Sequence, residues 1–355
     1  MSFKRVITIG SAIVAVSAIL GGCSHSGSAS SHNTKHQDKS VALVTNASGV
    51  DDKSFNQAAW AGAKAVGAKY GLKRGKGGYD YFASSSDGDY LPNMNQAANA
   101  GYKTIFGIGF QFNQAISKAA KAHPKNNFVI VDNVVKGQKN VASVSFRSNE
   151  AAYQAGVVAA RTTKTGKLGF IGAVKSDIID LFQAGFSQGA KAEAKKLHKQ
   201  ITIKNQLVGS FTAPDKGKSI AQAMYASGVD VIDTAAGSTG NGVFIAAKAI
   251  NQTKPAAKKV WVIGVDSDQQ AQGAYKDSTG KSANFCLTSI MTGVDAAVKD
   301  IVSRKAFPGG QLLSYGLKEK GVYLTRGFIS SSTWQQAQIA GKGIISGQIK
   351  VSQHP

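Results

Sequence analysis

The stretch "VALVTNASGVDDKSFNQAAWAGAKAVGAKYG", residues 41–71, decides the fold class. It starts with a short apolar run that is typical of a buried strand and continues through a polar loop into a helix. Ser54 and Gln57 form a capping-box pattern, which predicts Ser54 as the N-cap and Phe55 as the first helical residue. Alanine and glycine line the apolar stripe of this helix, so its packing does not require a phenylalanine at its start.

The same alternation of apolar strand candidates and helical segments continues along the chain. Near-continuous apolar strands joined by helices are typical of parallel sheets covered on both faces. A polar segment at residues 145–152, "SFRSNEAA", separates two similar series. The sequence therefore predicts an α/β protein with two lobes, each a mostly parallel sheet with helices on both faces. We assign residues 41–146 plus about 290–314 to the N-terminal lobe, and 147–289 plus about 315–355 to the C-terminal lobe.

The N-terminus has the pattern of a bacterial lipoprotein precursor. Lys4 and Arg5 precede an apolar run that is too short for a comfortable membrane span, and the run ends in "LGGC" at Cys23. This predicts a secretory signal peptide over residues 1–22. A cysteine directly after small residues resembles the lipobox, in which the cysteine is lipidated and becomes the new N-terminus. The Ser-rich residues 23–40 are expected to form a flexible tether.

The chain of 355 residues is strongly basic, with a formal net charge of +22. Its lysines are scattered at helix-surface spacings without a run of five, which favours a solvated cationic surface facing an anionic envelope over specific nucleic-acid binding. Besides Cys23, the sequence contains one cysteine, Cys286 in the strand-like "NFCLTS". We expect Cys286 to be a buried structural thiol.

The usual catalytic and cofactor signatures are incomplete. "GIGF" at residues 107–110 lacks the third glycine of a dinucleotide fingerprint, and "GKS" at residues 217–219 has Thr212 where a phosphate loop requires glycine. The six histidines do not occur at metal-ligand spacing. The sequence therefore predicts a protein that is not an enzyme and that holds no cofactor or metal ion.

A ligand site is expected at the carboxyl ends of the strands, where open α/β sheets bind their ligands. This rule selects Asn46, Asp132, Gly237 and Asp266, and Phe55 begins the helix at the same edge. Carboxylates accept pairs of hydroxyl hydrogen bonds from a sugar, and aromatic faces stack on a flat heterocycle. Together these groups indicate a nucleoside. On spacing alone, each carboxylate could instead cap the segment after it, and Phe55 could belong to the core.

Five motifs resemble those of the basic membrane protein (BMP) family of lipoproteins, which includes the purine nucleoside receptor A type of ABC-transporter binding protein. In chain order they are "VALVTNASGVDDKSFNQAAWAGA", "GIGFQF", "GFIGAVKSDIIDLFQAGFSQGAK", "AAGSTGNGVFIAAK" and "VIGVDSDQ". The resemblance covers nearly the whole chain after Ser40. It implies the type I periplasmic-binding-protein fold. It also implies a lipoprotein on the extracytoplasmic face of the cell membrane that binds purine nucleosides and delivers them to ABC permease and ATPase subunits.

The resemblance also implies roles for individual residues. Phe55 would stack on one face of the base, and Phe211 on the other, with Phe182 as the second choice. The base edge would be bound by Asn46, Asn56 and Asp132, and the ribose by Gly237 and Asp266.

Two positions depart from the family pattern and leave the preferred nucleoside open. Asn46 stands where the family usually has aspartate, and Thr292 where it commonly has lysine. Two other readings also stay open: a binding protein for a free sugar or small signalling molecule, and a basic surface protein that adheres to an anionic polymer. A nucleoside hydrolase would require a metal or acid/base cluster, which the sequence does not indicate.

Overall fold

A computed structural model describes residues 34–355 of the chain. The predicted signal peptide at residues 1–22 and the predicted lipidation site Cys23 lie outside the described residues. The expected tether reaches too far toward the C-terminus, because Thr34–Lys39 forms a short 3-10 segment and Ser40 is fully buried. Lys39 Nζ donates a hydrogen bond of 3.1 Å to the Arg304 carbonyl oxygen, so residues next to Ser40 belong to the folded part.

The N-terminal lobe is built on a six-stranded parallel sheet with the order β13-β5-β4-β3-β1-β2, in which β13 (Leu312–Tyr315) comes from near the end of the chain. Its apolar strands alternate with helices that cover both faces, as the sequence pattern predicts. The elements are β1 Val41–Thr45, α1 Phe55–Tyr70, β2 Tyr79–Ala83, α2 Tyr90–Asn99, β3 Thr104–Gly107, α3 Asn113–Ala122, β4 Asn127–Val131 and β5 Val141–Phe146.

The C-terminal lobe repeats this arrangement in a second six-stranded sheet with the order β14-β12-β9-β8-β6-β7, in which only β14 (Val322–Leu324) is antiparallel. β10 and β11 form a separate two-stranded hairpin. The elements are α4 Ser148–Thr162, β6 Lys167–Gly172, α5 Asp177–Lys196, β7 Thr202–Leu207, α6 Pro214–Ala226, β8 Val231–Ala235, α7 Gly240–Gln252, β9 Trp261–Asp266, β10 Ala274–Lys276, β11 Ser282–Asn284 and β12 Cys286–Thr292.

The final third of the chain alternates between the lobes. The elements after β12 are α8 Val294–Ser303, β13 Leu312–Tyr315, β14 Val322–Leu324 and α9 Ser331–Ile345. α8 packs on α1, β13 completes the first sheet, and β14 completes the second. The chain thus crosses between the sheets after β5, after β12 and after β13. β12 continues to Thr292, so the second crossing lies slightly later than the expected boundary at about residue 290.

The predicted fold class, α/β with two mostly parallel sheets, is confirmed. An apolar cluster involves α1, α4, α5 and α8, and further clusters fill the space under α2 and α3 and under α6 and α7. Cys286 is buried in β12, and burial raises the pKa of its thiol to about 12, as expected for a structural thiol. Within residues 34–355, no helix is long and apolar enough to cross a membrane.

Candidate functional site

A cleft lies where the carboxyl ends of the two sheets face each other, and the empty space in it, counted out into the open solvent, is about 600 Å³. All eight predicted ligand residues line it, namely Asn46, Phe55, Asn56, Asp132, Phe182, Phe211, Gly237 and Asp266. We call it the interlobe cleft. Its other walls include Ser48, Asp52, Gly109, Phe110, Gln111, Ser148, Ile178, Ile179, Ala235, Val265 and Thr292.

The first turn of α1 is ordered by Asp52 and not by Ser54. Asp52 carboxylate oxygens accept hydrogen bonds from the backbone N–H groups of Ser54 (2.8 Å), Asn56 (3.0 Å) and Gln57 (3.1 Å). The Ser54 side chain makes no capping hydrogen bond, so the predicted capping box is wrong. A buried carboxylate can satisfy several N–H groups where a hydroxyl can satisfy one, and the helix N-terminus also favours its negative charge. Phe55 nevertheless begins the helix, as predicted.

A hydrogen-bond network fixes how Asn46 and Asn56 face the cleft. Asn46 Oδ1 accepts hydrogen bonds of 3.0 Å from the Ser48 backbone N–H and from Asn56 Nδ2. Asn56 Nδ2 also donates to Asp52 Oδ2 at 2.8 Å. Because a backbone N–H and a carboxylate fix which amide atoms are oxygen and nitrogen, Asn46 Nδ2 and Asn56 Oδ1 remain for other partners. Asn56 Oδ1 is buried without a hydrogen bond to any described residue. The pair therefore offers one donor and one acceptor to a ligand.

Two aspartates occupy equivalent positions at the ends of equivalent strands. Asp132 follows β4 and Asp266 ends β9, and both adopt left-handed backbone angles, with φ of 64° and 65°. Such angles are uncommon for residues other than glycine and concentrate at functional sites. Burial raises the pKa of Asp132 to about 8, with a further contribution from the negative charge of Asp266.

The Asp266 carboxylate is connected across the cleft to the other lobe. Burial raises its pKa to about 6, although the hydrogen bond from Ser54 opposes this rise. Ser54 Oγ donates to Asp266 Oδ2 at 2.6 Å. At neutral pH, Asp266 is therefore mostly an acceptor-only carboxylate, while Asp132 retains a proton in most molecules.

Aromatic side chains line the cleft from both lobes. Phe55 and Phe211 are half-buried and come from opposite lobes, whereas Phe182 is almost fully buried on α5. Gly237 has φ of 56°, and a Cβ at this position would lie 3.3 Å from the Phe211 ring, so glycine lets this ring lie against the backbone. Phe110, which the sequence reasoning missed, lies 6.4 Å from Phe211 between ring centroids.

Other cleft residues also escaped sequence reasoning. Asp52 lies in the loop before α1, and Gln111 lies in a short 3-10 helix at Phe110–Phe112, beyond the strand-end positions that the sheet rule selects. The Gln111 Oε1 atom is buried and has no hydrogen-bond partner among the described residues. Phe110, beside it in "GIGFQF", was the available signal, since it lies three residues after the end of β3. Thr292 lines the cleft and is buried at the end of β12. In residues 34–355, no group of three or more His, Cys, Asp and Glu side chains could hold a metal ion.

Comparisons with known proteins agree with this architecture. A family model described as "ABC transporter substrate-binding protein PnrA-like" matches residues 39–354. The chain belongs to this family. The PnrA-like assignment confirms the resemblance to the BMP family that the five sequence motifs indicate.

Two relatives of this PnrA-like protein are similar over nearly their full length. It is 48% identical over 352 residues to the "ABC transporter nucleoside-binding protein BmpA" of Lactococcus lactis, a match that covers 98% of this chain and 99% of that protein. It is 43% identical over 363 residues to the "CD4+ T-cell-stimulating antigen" of Listeria monocytogenes, covering 99% of each.

A solved structure supports the fold. The ABC-transporter solute-binding protein of Aeropyrum pernix superimposes with a TM-score of 0.74 at 24% identity, covering 88% of this chain and 93% of that one. At this identity the likeness concerns the fold alone. Taken together, the comparisons identify an ABC substrate-binding protein of the PnrA-like family.

Proposed function

We propose that this protein binds purine nucleosides in the interlobe cleft and delivers them to an ABC importer. The observation that carries the proposal is the pairing of aromatic faces from opposite lobes, Phe55 and Phe211, with the carboxylates of Asp132 and Asp266 in one cleft. The nucleoside-binding name of the Lactococcus lactis relative supports the same class of ligand.

The base would lie between aromatic rings and be read along its edge. Stacking a base on an aromatic side chain contributes about 1–3 kcal/mol. Phe55 would provide one face and Phe211 the other, with Phe182 at the wall. The Asn46 amide N–H group, the Asn56 carbonyl oxygen and Asp132 supply a donor, an acceptor and a group that can act as either. Such a set suits the mixed donor and acceptor edge of a purine.

The ribose would lie at the C-terminal lobe. A carboxylate accepts two hydrogen bonds from neighbouring hydroxyls, and Asp266 is mostly ionised at neutral pH because its pKa is about 6. Gly237, two residues after the end of β8, lines the same cleft and has no side chain to exclude the sugar. Thr292, in place of the family lysine, keeps a hydroxyl at this wall without a positive charge.

Titration calorimetry of the full chain tests this function. Adenosine and guanosine should bind more tightly than cytidine and uridine. Adenine alone and ribose alone should each bind at least about tenfold more weakly than adenosine, since each lacks one half of the contacts. If ribose binds as tightly as adenosine, the protein is a free-sugar receptor. If affinity for an anionic polymer is high and falls steeply with salt while no nucleoside binds, the basic-surface reading is correct.

The proposal includes a lipid anchor and a transporter. Acylation of Cys23 would hold the protein on the extracytoplasmic face of the cell membrane, with stable anchoring because more than one chain is attached. Permease and ATPase subunits would then take the nucleoside from the cleft. Labelled palmitate should enter the wild type and not Cys23→Ser. Normal labelling of Cys23→Ser would contradict the anchor and leave the nucleoside site unaffected.

A further inference from the structure

The loop of residues 52–54, directly before α1, is hydrogen-bonded to the opposite lobe. Its three consecutive carbonyl oxygens each accept from a side chain of the C-terminal lobe. Asn241 Nδ2 donates to Asp52 at 3.4 Å, Gln269 Nε2 to Lys53 at 2.9 Å, and Ser267 Oγ to Ser54 at 3.0 Å. Together with the hydrogen bond between Ser54 Oγ and Asp266, this makes four contacts from three residues.

On the C-terminal lobe, Gln269 is held in place by its own lobe. Its side chain is 3% exposed, and its Oε1 atom accepts a hydrogen bond of 3.0 Å from the Val265 backbone N–H. Its own backbone N–H donates to Ser289 Oγ at 3.0 Å. A Cβ on Gly264 would lie 2.6 Å from Gln269 Oε1, so glycine is required to seat this side chain. The Val265 backbone N–H must bond to the oxygen of the Gln269 amide, which fixes the orientation of the amide group. The Nε2 donor therefore faces the N-terminal lobe whether or not the Lys53 carbonyl is in contact with it.

On the N-terminal lobe, the loop is rigidly joined to the first turn of α1. Asp52 binds the backbone N–H groups of Ser54 and Asn56 with one side chain. Lys53 has φ of 57°, a left-handed conformation that costs about 1–2 kcal/mol in a residue with a Cβ. Two sets of hydrogen bonds hold the loop in this conformation: those that the Asp52 carboxylate accepts from the backbone, and those that the loop carbonyls accept from the C-terminal lobe. Movement of the loop therefore moves Phe55 and Asn56 with it.

We propose that residues 52–54 form a latch that holds the two lobes closed over a bound ligand, with Gln269 as the positioning residue that receives it. This inference rests on the proposed function for the identity of the ligand. Lys53, Ser54 and Gln269 do not line the interlobe cleft. The hydrogen bond between Gln269 and the Lys53 carbonyl therefore opposes opening of the lobes without contacting the ligand, whereas Ser54 bonds to Asp266, which does line the cleft. A latch of this kind slows dissociation and leaves the encounter of the ligand with the open form unchanged.

Dissociation and association rates of guanosine from the full chain, measured by stopped flow, test the latch. Gln269→Ala should raise the dissociation rate about two- to tenfold, the effect of losing one neutral hydrogen bond, and change the association rate by less than about twofold. Gln269→Met keeps the size of the side chain without a charge but loses the donor, so it should dissociate about as fast as Gln269→Ala. A role in packing alone would leave Gln269→Met like the wild type. Gln272→Ala, three residues away on the same segment, is the matched control.

Small-angle scattering of the ligand-free full chain provides a readout that needs no nucleoside. Gln269→Ala and Gln269→Ala with Ser267→Ala should have a larger radius of gyration than the wild type and Gln272→Ala. If the Gln269 variants melt at a much lower temperature than the wild type, Ser267→Ala alone tests the latch. Its side chain is half-exposed, so this change should remove one latch hydrogen bond without unfolding the protein. Wild-type rates and an unchanged radius of gyration in every variant would overturn the latch. A wild type that binds no nucleoside would overturn the proposed function, and the scattering comparison would still decide the latch.

Discussion

Phe55 occupies the first position of α1 and is half-buried against the cleft. Phe55→Ala should raise the nucleoside dissociation constant about ten- to hundredfold, because base stacking of about 1–3 kcal/mol is lost. Stability should fall by less than about 1 kcal/mol, since an open cleft leaves no sealed cavity. Phe128→Ala, at a fully buried ring in β4, is the opposite control and should lose about 3–5 kcal/mol of stability. Calorimetry and thermal melting of both variants separate the roles. Normal affinity with a badly lowered melting temperature would place Phe55 in the core.

Asn46 determines whether the cleft presents a donor or an acceptor at the base edge. Asn46→Asp keeps an oxygen for Ser48 and Asn56 but replaces the free N–H group with an acceptor. The ratio of adenosine to inosine affinity should therefore change by about tenfold, because the two bases exchange donor and acceptor at their six-membered edge. Asn205→Asp, on an exposed part of β7, adds the same charge far from the cleft and should leave the ratio unchanged. An unaltered ratio in Asn46→Asp would mean that this amide does not face the base.

Asp132 makes the stability of the ligand-free protein depend on pH. Its pKa is about 8 in the folded protein and about 4 when unfolded, so the folded state binds the extra proton between these values. Stability is therefore unaffected below pH of about 4 and falls as the pH rises towards 8. Asp132→Asn should remove this loss, with about 1–3 kcal/mol of added stability at pH 8 and little change at pH 4. Denaturant titrations at the two pH values measure the difference. Equal stabilisation at both would rule out a proton-linked effect.

At the scale of the elements, α4 and α5 pack with their backbones close together. A Cβ on Gly189 in α5 would lie 2.0 Å from the Tyr153 carbonyl oxygen in α4, where no rotamer change can relieve the clash. Gly189→Ala should therefore destabilise the C-terminal lobe by about 1–3 kcal/mol or more, despite the higher helix propensity of alanine. Ser187→Ala, at a half-exposed position in the same helix, is the control and should be neutral or slightly stabilising. A stable Gly189→Ala would require the two helices to separate at little cost.

Element prediction succeeded where local pattern and tertiary environment agree. β1, β5 and β6 are mainly apolar runs, since a strand buried on both faces has a recognisable composition. Residues 312–315 and 322–324 were not expected as strands. β13 and β14 are short edge strands, and β13 pairs with β5 far away in the chain, so no local signal specifies them. α9 was missed because much of its buried face consists of alanine and glycine.

Prediction of the candidate site also succeeded where a local rule applies and failed where tertiary contacts decide. The rule that ligands bind at the carboxyl ends of strands placed Asn46, Asp132, Gly237 and Asp266 at one edge, and the structure brings them into one cleft. Their binding of a nucleoside stays a prediction. Asp52 was not expected because its function depends on how the loop folds back over the first turn of α1. The latch contacts of residues 52–54 require both lobes, and no pattern within one segment encodes them.

At the scale of the whole molecule, we expect the two lobes to move as rigid bodies about the crossings between the sheets. The three crossings between the sheets are hydrogen-bonded to one another through the backbone. The backbone N–H of Arg147 donates to the Tyr315 carbonyl oxygen at 2.8 Å, and that of Gly293 donates to the Gly321 carbonyl oxygen at 2.7 Å. Arg147 also forms ion pairs with Glu150 and Glu319. Each sheet has an apolar cluster of its own, and a larger cluster joins α1 and α8 of the N-terminal lobe to α4 and α5 of the C-terminal lobe. Opening would therefore disturb these crossings, the contacts across the cleft and part of the shared cluster.

Closure by rotation about these crossings predicts a change in size on binding. Saturating adenosine should decrease the radius of gyration of the full chain in small-angle scattering, because the open form exchanges with the closed one and the ligand contacts both lobes only when they are closed. Phe55→Ala, measured at an adenosine concentration below its raised dissociation constant, should stay near the ligand-free value. A wild type that is already closed without ligand would show little change, and Gln269→Ala would then supply the open starting state. If adenosine binds to Gln269→Ala without any decrease in its radius of gyration, the ligand binds to one lobe and the lobes do not close over it.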